Sequence, residues 1–234
     1  MSYELQYIIF AIIGYFSGAV LYAKVWGYVF KGRDITLEAK DKNPGTFNAF
    51  ALGGFWCGTL TVLCDLLKGI IPVGLCVYLV DSNAHNEYLM ALVIIMPVIG
   101  HILPIYYKLH GGKGIAVSFG VMLGFLPDFT VALLLAIVFI VFSVIIVIKP
   151  DIYKTMATYI VAALIVPFIG YRLAVVIAYI AIAVIVCIRL IISDEEKKAF
   201  SISLIKWKII GNKSSDSDSV IDCKETVDKE DINV

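Results

Sequence analysis

Long apolar runs, separated by short polar clusters, organise this chain. Seven can be marked: Leu5–Phe30, Phe50–Val80, Tyr88–Tyr106, Ile115–Leu126, Phe129–Ile148, Ile152–Gly170 and Leu173–Ile192. A helix rises about 1.5 Å per residue, so roughly 20 apolar residues cross a ~30 Å hydrocarbon core. Most of the runs meet that length, and Phe50–Val80 is long enough to tilt or break. Ile115–Leu126 is the short one. As a helix it reaches about 18 Å, and crossing requires length from the glycines before it or a locally thin bilayer. The pattern predicts an all-α, polytopic integral membrane bundle of about seven transmembrane helices over residues 1–198. Beyond it, Phe200, Ile202, Leu204, Ile205, Trp207, Ile209 and Ile210 alternate with Ser and Lys. Over 199–211 this reads as a short amphipathic helix in the interface or as a frayed membrane-proximal stretch. Residues 212–234 are polar and acidic and read as a disordered tail.

The basic residues set the orientation. With seven spans, Lys31, Arg33, Lys40 and Lys42, then Lys108 and Lys113, then Lys149 and Lys154, and finally the tail lysines fall on one side. Arg172 alone falls on the other. Lys and Arg concentrate on the cytoplasmic side of membrane proteins, which puts the N-terminus outside and the C-terminus in the cytoplasm.

Composition agrees and removes several alternatives. The chain has 234 residues, 60% of them hydrophobic and 16% charged, with zero formal net charge. Neutral balance gives no ground for nucleic-acid binding. Met-Ser-Tyr-Glu lacks the basic start of a signal peptide, so the first run reads as a retained span. Five cysteines, an odd count without C-x-x-C spacing, imply neither a disulfide framework nor a zinc site. No metal and no cofactor are expected.

Three polar clusters share the predicted inner face. Lys40-Asp41-Lys42-Asn43-Pro44-Gly45-Thr46-Phe47-Asn48 is either a solvated turn or a site for an oxygen-rich ligand. Asp65 and Lys68 lie on one helix face inside an apolar run. Such a pair fixes helix packing or meets substrate in a wet cavity. The third cluster runs from Gly100-His101-x-x-Pro104 through Lys108 to Gly111-Gly112-Lys113-Gly114 and Ser118. Glycines allow tight turns that aim several N–H groups at one point, and Lys113 adds a charge, a combination suited to phosphate. The spacing is not that of a Walker A loop, so a nucleotide is not implied. His101 is either a packed histidine near a helix end or a base folded toward the loop.

In this order, the clusters resemble the bacterial acyl-phosphate-dependent glycerol-3-phosphate acyltransferases, small seven-span enzymes of phospholipid synthesis. The resemblance covers roughly residues 8–198. It is most specific at Gly100-His101-x-x-Pro104 with Gly111-Gly112-Lys113-Gly114-Ile115-Ala116. Asp65-Leu66-Leu67-Lys68-Gly69 matches another hallmark, and Asn43, Gly45 and Asn48 match positions in a Gly-Ser-Gly-Asn-x-Gly-Ala-Thr-Asn run. The chain departs where Lys40-Asp41-Lys42 replaces Gly-Ser-Gly and Phe47 replaces Thr. Ala51 stands where an Arg is expected. Arg189-Leu190 is kept, but Ala183 and Val186 replace a His-x-x-Asn pair. A serine of the sixth segment has only Thr155 or Thr158 as stand-ins.

The resemblance implies transfer of an acyl group from acyl phosphate to the sn-1 hydroxyl of glycerol 3-phosphate, giving lysophosphatidic acid at a bilayer. It implies Lys113 and His101 as catalytic residues. Gly111, Gly112, Gly114, Asn43, Gly45, Asn48, Lys42 and Thr155 are the implied phosphate and substrate contacts, with Asp65 and Lys68 as a structural ion pair. Two other readings remain: a catalytically inactive or altered relative that binds a phosphorylated lipid precursor, and a small transporter.

Overall fold

A computed structural model describes residues 1–82 and 85–193 and the backbone of 201–204. Helix α1 (Tyr3–Gly18) is followed, after a break at 19–21, by α2 (Tyr22–Lys31). A short turn α3 (Thr46–Asn48) leads into α4 (Phe55–Cys76). Then come α5 (Glu87–Ile102), α6 (Ile115–Leu123), α7 (Thr130–Ile140), α8 (Asp151–Ile165) and α9 (Leu173–Ile192).

Apolar surface is turned outward. Along α4, Leu63, Leu67, Ile71 and Leu75 follow one another at helical spacing on the exposed face, while Thr61, Asp65 and Lys68 are buried. A water-soluble helix shows the reverse; this order suits hydrocarbon around the bundle and polar groups within it. Among the described residues, five helical stretches are long and apolar enough to cross a membrane: Tyr3–Lys31, Phe55–Asp81, Glu87–Tyr107, Asp151–Ile169 and Leu173–Ile192.

The other two expected spans differ from the sequence reading. Helix α6 is shorter than the expected Ile115–Leu126. At nine residues it reaches about 13.5 Å and does not cross alone. Thr130–Ile145 is helical, but the chain then turns into strand β1 (Ile146–Lys149) instead of continuing to Ile148 as helix. The β-branched run Val144–Ile148 accounts for the change, since such side chains crowd a helix and suit a strand. Strand β1 pairs antiparallel with β2 (Ser201–Leu204), Ile146 opposite Leu204 and Lys149 opposite Ser201. Within the expected amphipathic segment at 199–211, residues 201–204 are therefore extended. The alternation of Ser201 and Ser203 with Ile202 and Leu204 has the two-residue period of a strand. The rest of that segment and the acidic stretch 212–234 lie outside the described residues.

Small residues bring the helices together. A Cβ on Gly69 of α4 would stand 2.7 Å from the Val121 amide of α6, and one on Gly120 would strike the Leu66 carbonyl. Dispersion between closely approached backbones holds such a crossing in lipid, where burial of apolar surface gives no drive. It also anchors α6, so the loop that starts α6 has a fixed position against α4.

Candidate functional site

A cavity of about 890 Å³ opens between the 38–48 loop, α4, the start of α6 and the start of α8. Its walls are mixed. Val62, Leu66, Ile115, Phe119, Phe139 and Leu190 make an apolar side; Lys40, Asp41, Asn43, Thr46, Lys113 and Lys154 make a polar one.

The glycine loop is held from behind. Gly112 N–H donates to the His101 carbonyl at 3.0 Å. Arg189, near the end of α9, donates through Nη2 to the Gly111 carbonyl at 2.8 Å and through Nε to the Gly112 carbonyl at 3.2 Å. Gly114 caps α6 with φ +83°, a left-handed conformation that favours glycine. Gly112 does not need positive φ. It needs to lack a Cβ, because His101 Nε2 stands where that atom would go. At the start of α6 the first amides have no intrahelical acceptor, and the helix dipole adds partial positive charge there. Ile115 and Ala116 line the cavity at this point, beside Lys113.

The facing loop is tied by its own side chains. Asn48 Nδ2 donates to Asp41 Oδ1 and to the Asn43 carbonyl, both at 2.8 Å, and Asn43 N–H donates to Asp41 Oδ1 at 3.2 Å. Lys113 Nζ lies 3.3 Å from Asp41 Oδ2, joining the two loops across the cavity. Burial opposes ionisation of Asp41. The bonds from Asn48 and the Asn43 amide, with the Lys113 charge, outweigh it and hold the carboxyl below its ordinary value. Asn43 Oδ1 and Thr46 Oγ1 are buried without a hydrogen-bond partner in the protein. Orphaned polar atoms cost free energy unless something enters to bond them.

Behind the loop lies a buried relay. Lys68 Nζ donates to the Val20 carbonyl at 2.8 Å, reaches His101 Nδ1 at 2.7 Å and makes a charge contact with Asp65 Oδ1 at 2.8 Å. Val20 sits in the break between α1 and α2, so Lys68 serves a carbonyl that the break frees. An ammonium only donates, so His101 Nδ1 accepts and the ring hydrogen is assigned to Nε2. In that tautomer His101 presents an Nε2–H beside Gly112. Asp65 and Lys68, both buried, form an ion pair one turn apart on α4.

Of the sequence-derived candidates, Lys113, Gly114, Asn43, Gly45, Asn48, His101, Asp65 and Thr155 line one cavity. Thr155 is tied down, its Oγ1 donating to the Asp151 carbonyl at 2.9 Å. Gly111 and Gly112 lie behind the lining and shape it. Lys42 is exposed, with φ +47°, and is not part of the lining; Lys40 is. Sequence reasoning placed Asp41 and Thr46 in the 40–48 cluster without singling them out, missed Lys154, and gave Arg189 no task. Lys154 pairs with Asp151 at 2.7 Å at the α8 end of the cavity. Among the described residues, no three His, Cys, Asp or Glu side chains cluster as a metal site requires.

The model of the family described as glycerol-3-phosphate acyltransferase matches residues 8–195. A glycerol-3-phosphate acyltransferase of Desulfotalea psychrophila is 38% identical over 129 residues, 55% of this chain and 64% of that protein. One of Pasteurella multocida is 36% identical over 109 residues, 47% of this chain and 50% of that protein. This chain thus spans less than two thirds of the length of either relative. Two crystal structures of PlsY, an integral membrane glycerol 3-phosphate acyltransferase, share the fold. The glycerol 3-phosphate form aligns with TM-score 0.67 and 25% identity over 79% of this chain and 88% of that one. The lysophosphatidic acid form aligns with TM-score 0.65 and 26% identity over 79% and 87%. A match of the family model across most of the chain, together with the shared membrane fold, settles descent: this chain belongs to the glycerol-3-phosphate acyltransferase family.

Proposed function

We infer that the chain transfers an acyl group from acyl phosphate to the sn-1 hydroxyl of glycerol 3-phosphate, in a bacterial plasma membrane. The observation that carries this reading is the cavity itself. Lys40, Lys113 and Lys154, with the amide end of α6, line a polar half, and an apolar half adjoins it. A phosphate fits the first half and an acyl chain the second. The names of the relatives and the ligand forms of PlsY support the same acceptor and product.

The chemistry asks mainly for placement. The acceptor hydroxyl oxygen attacks the acyl carbonyl carbon and forms the ester bond. The C–O bond to phosphate breaks, inorganic phosphate leaves, and the hydroxyl proton goes to that phosphate or to water. Acyl phosphate is already activated, so held charges and orientation supply most of the catalysis. Lys113 and the α6 amides offset the charge of one phosphate; Lys40 and Lys154 lie within the same cavity for the other. His101 supports Gly112 from beneath and offers an N–H. The lysine-rich loops expected on the inner face support a cytoplasmic side for this cavity.

The test uses purified full-length protein, acyl phosphate and glycerol 3-phosphate, with acyl-CoA as an alternative donor. Lysophosphatidic acid is expected from acyl phosphate. Lys113→Ala is expected to lower kcat/KM by about 10²–10³-fold, the range for loss of a preorganised electrostatic group. No product from acyl phosphate, or near-normal turnover in Lys113→Ala, overturns the assignment. A catalytically altered relative, which the replacement of serine by Asp41 favours, would bind inorganic phosphate without making product.

A further inference from the structure

Lys113 lines the cavity beside the start of α6, and it already has an anion beside it. Asp41 Oδ2 is 3.3 Å from its ammonium, with the two side chains 19% and 16% exposed. The other oxygen, Oδ1, is fixed by Asn48 Nδ2 and the Asn43 amide. The carboxylate is therefore built into its loop, and it occupies the position at which the family pattern has an uncharged serine.

We propose that Asp41 is a positioning residue that competes with phosphate for Lys113. It holds the ammonium at one place in the cavity and weakens phosphate binding by its own charge. This inference rests on reading the cavity as a phosphate site. Two physical consequences pull in opposite directions. A carboxylate sharing Lys113 with a phosphate repels it, and at partly buried separations of several ångströms such a charge changes affinity measurably. The same carboxylate limits the rotamers of a long, flexible side chain, so Lys113 reaches the transition state already placed. Removing Asp41 is expected to tighten phosphate binding and to slow turnover. A merely structural role for the loop would weaken both or neither.

The deciding variant is Asp41→Ser. Serine keeps an acceptor for the Asn43 amide and so preserves the turn. In this variant the inhibition constant of inorganic phosphate is expected to fall about fivefold to tenfold, while kcat falls by about tenfold. Asp41→Glu, which keeps the charge, is expected to leave the phosphate constant within about twofold of wild type. Asp41→Asn gives a second neutral side chain and is expected to follow Asp41→Ser. Thermal unfolding in detergent checks that each variant is folded. Asp41→Ser or Asp41→Asn protein that is folded yet binds phosphate no more tightly than wild type overturns the proposal. Direct calorimetric binding of inorganic phosphate separates this inference from the proposed reaction. Tighter binding in the neutral variants, with no acyl transfer by wild type, refutes the reaction and keeps the role of Asp41. Normal acyl transfer with unchanged phosphate binding does the opposite.

Discussion

Where α9 begins, Arg172 is ringed by acids: it meets Asp81, which also accepts from Tyr7 at 2.5 Å, and Glu87 at 2.8 Å. Glu87 in turn accepts from the Ala174 amide at 2.7 Å, capping the helix that Arg172 opens. Where α9 ends, about 25 Å away along its axis, Arg189 grips two carbonyls of the glycine loop. Beyond that loop, in residues of the cavity wall, buried oxygens of Asn43 and Thr46 have no hydrogen-bond partner in the protein. The first end ties four stretches of chain, α1, the end of the α4 stretch, the start of α5 and the start of α9, into one closed network. The second uses an arginine to fix backbone, and in the facing loop two buried polar oxygens stay without a hydrogen bond. Charge alone thus does not mark a site. What marks it is charge with unsatisfied neighbours.

The sharpest way to break this contrast is at the loop. Gly112→Ala would force a methyl into His101 Nε2, and the neighbour is a packed ring flanked by Lys68. Displacing the loop by about an ångström costs on the order of 100-fold in a reaction that depends on placement. A kcat/KM for acyl transfer reduced by about that factor is expected. Unchanged turnover would mean that the loop does not set the geometry of transfer.

At the closed end, Arg172→Ala leaves Asp81, 3% exposed at its side chain, without its cation. Stranding a buried carboxylate is costly, but Arg172 is a third exposed and water relieves part of the loss. We expect about 2 kcal/mol of destabilisation, read by thermal unfolding in detergent. The inhibition constant of inorganic phosphate should stay at its wild-type value. A change there would erase the distinction between the two ends.

The membrane bundle was legible because its signal is carried by many residues: whole runs of apolar side chains point to hydrocarbon whatever their neighbours do. The glycine loop was legible because Gly111, Gly112, Lys113 and Gly114 are adjacent in sequence. Arg189 was not, since its bonds to Gly111 and Gly112 join residues more than 70 positions apart. Asp41 counted as a defect in a pattern; only its distance from Lys113 shows it as a partner. The strand at 201–204 was hidden by apolar residues that suit an amphipathic helix nearly as well. A two-residue alternation over so few positions does not decide between them until β1 supplies a ladder. The constraint on Gly112 is hidden for a related reason: it comes from the His101 ring packed against it, eleven positions earlier.

The smallest effect tests whether every ion pair at the open end belongs to the site. Asp34 accepts from Lys24 Nζ at 2.6 Å, from the Thr36 amide at 3.0 Å and from the Thr36 hydroxyl at 2.6 Å, and neither partner of the pair lines the cavity. Burial pushes its carboxyl up, but the bonds from Lys24 and Thr36 and the charge of Lys24 bring it below the ordinary value. A carboxyl lowered on folding adds stability that is complete above its unfolded pKa, about 3.9, and is lost as pH falls through the folded value. Asp34→Asn is therefore expected to cost about 1 kcal/mol near neutral pH, with the gap to wild type closing in acid below about pH 4. Thermal unfolding across pH reads the gap, and KM for glycerol 3-phosphate should not move. A gap that persists in acid would assign the loss to packing rather than to the ionised bond. A raised KM would extend the substrate site to α2.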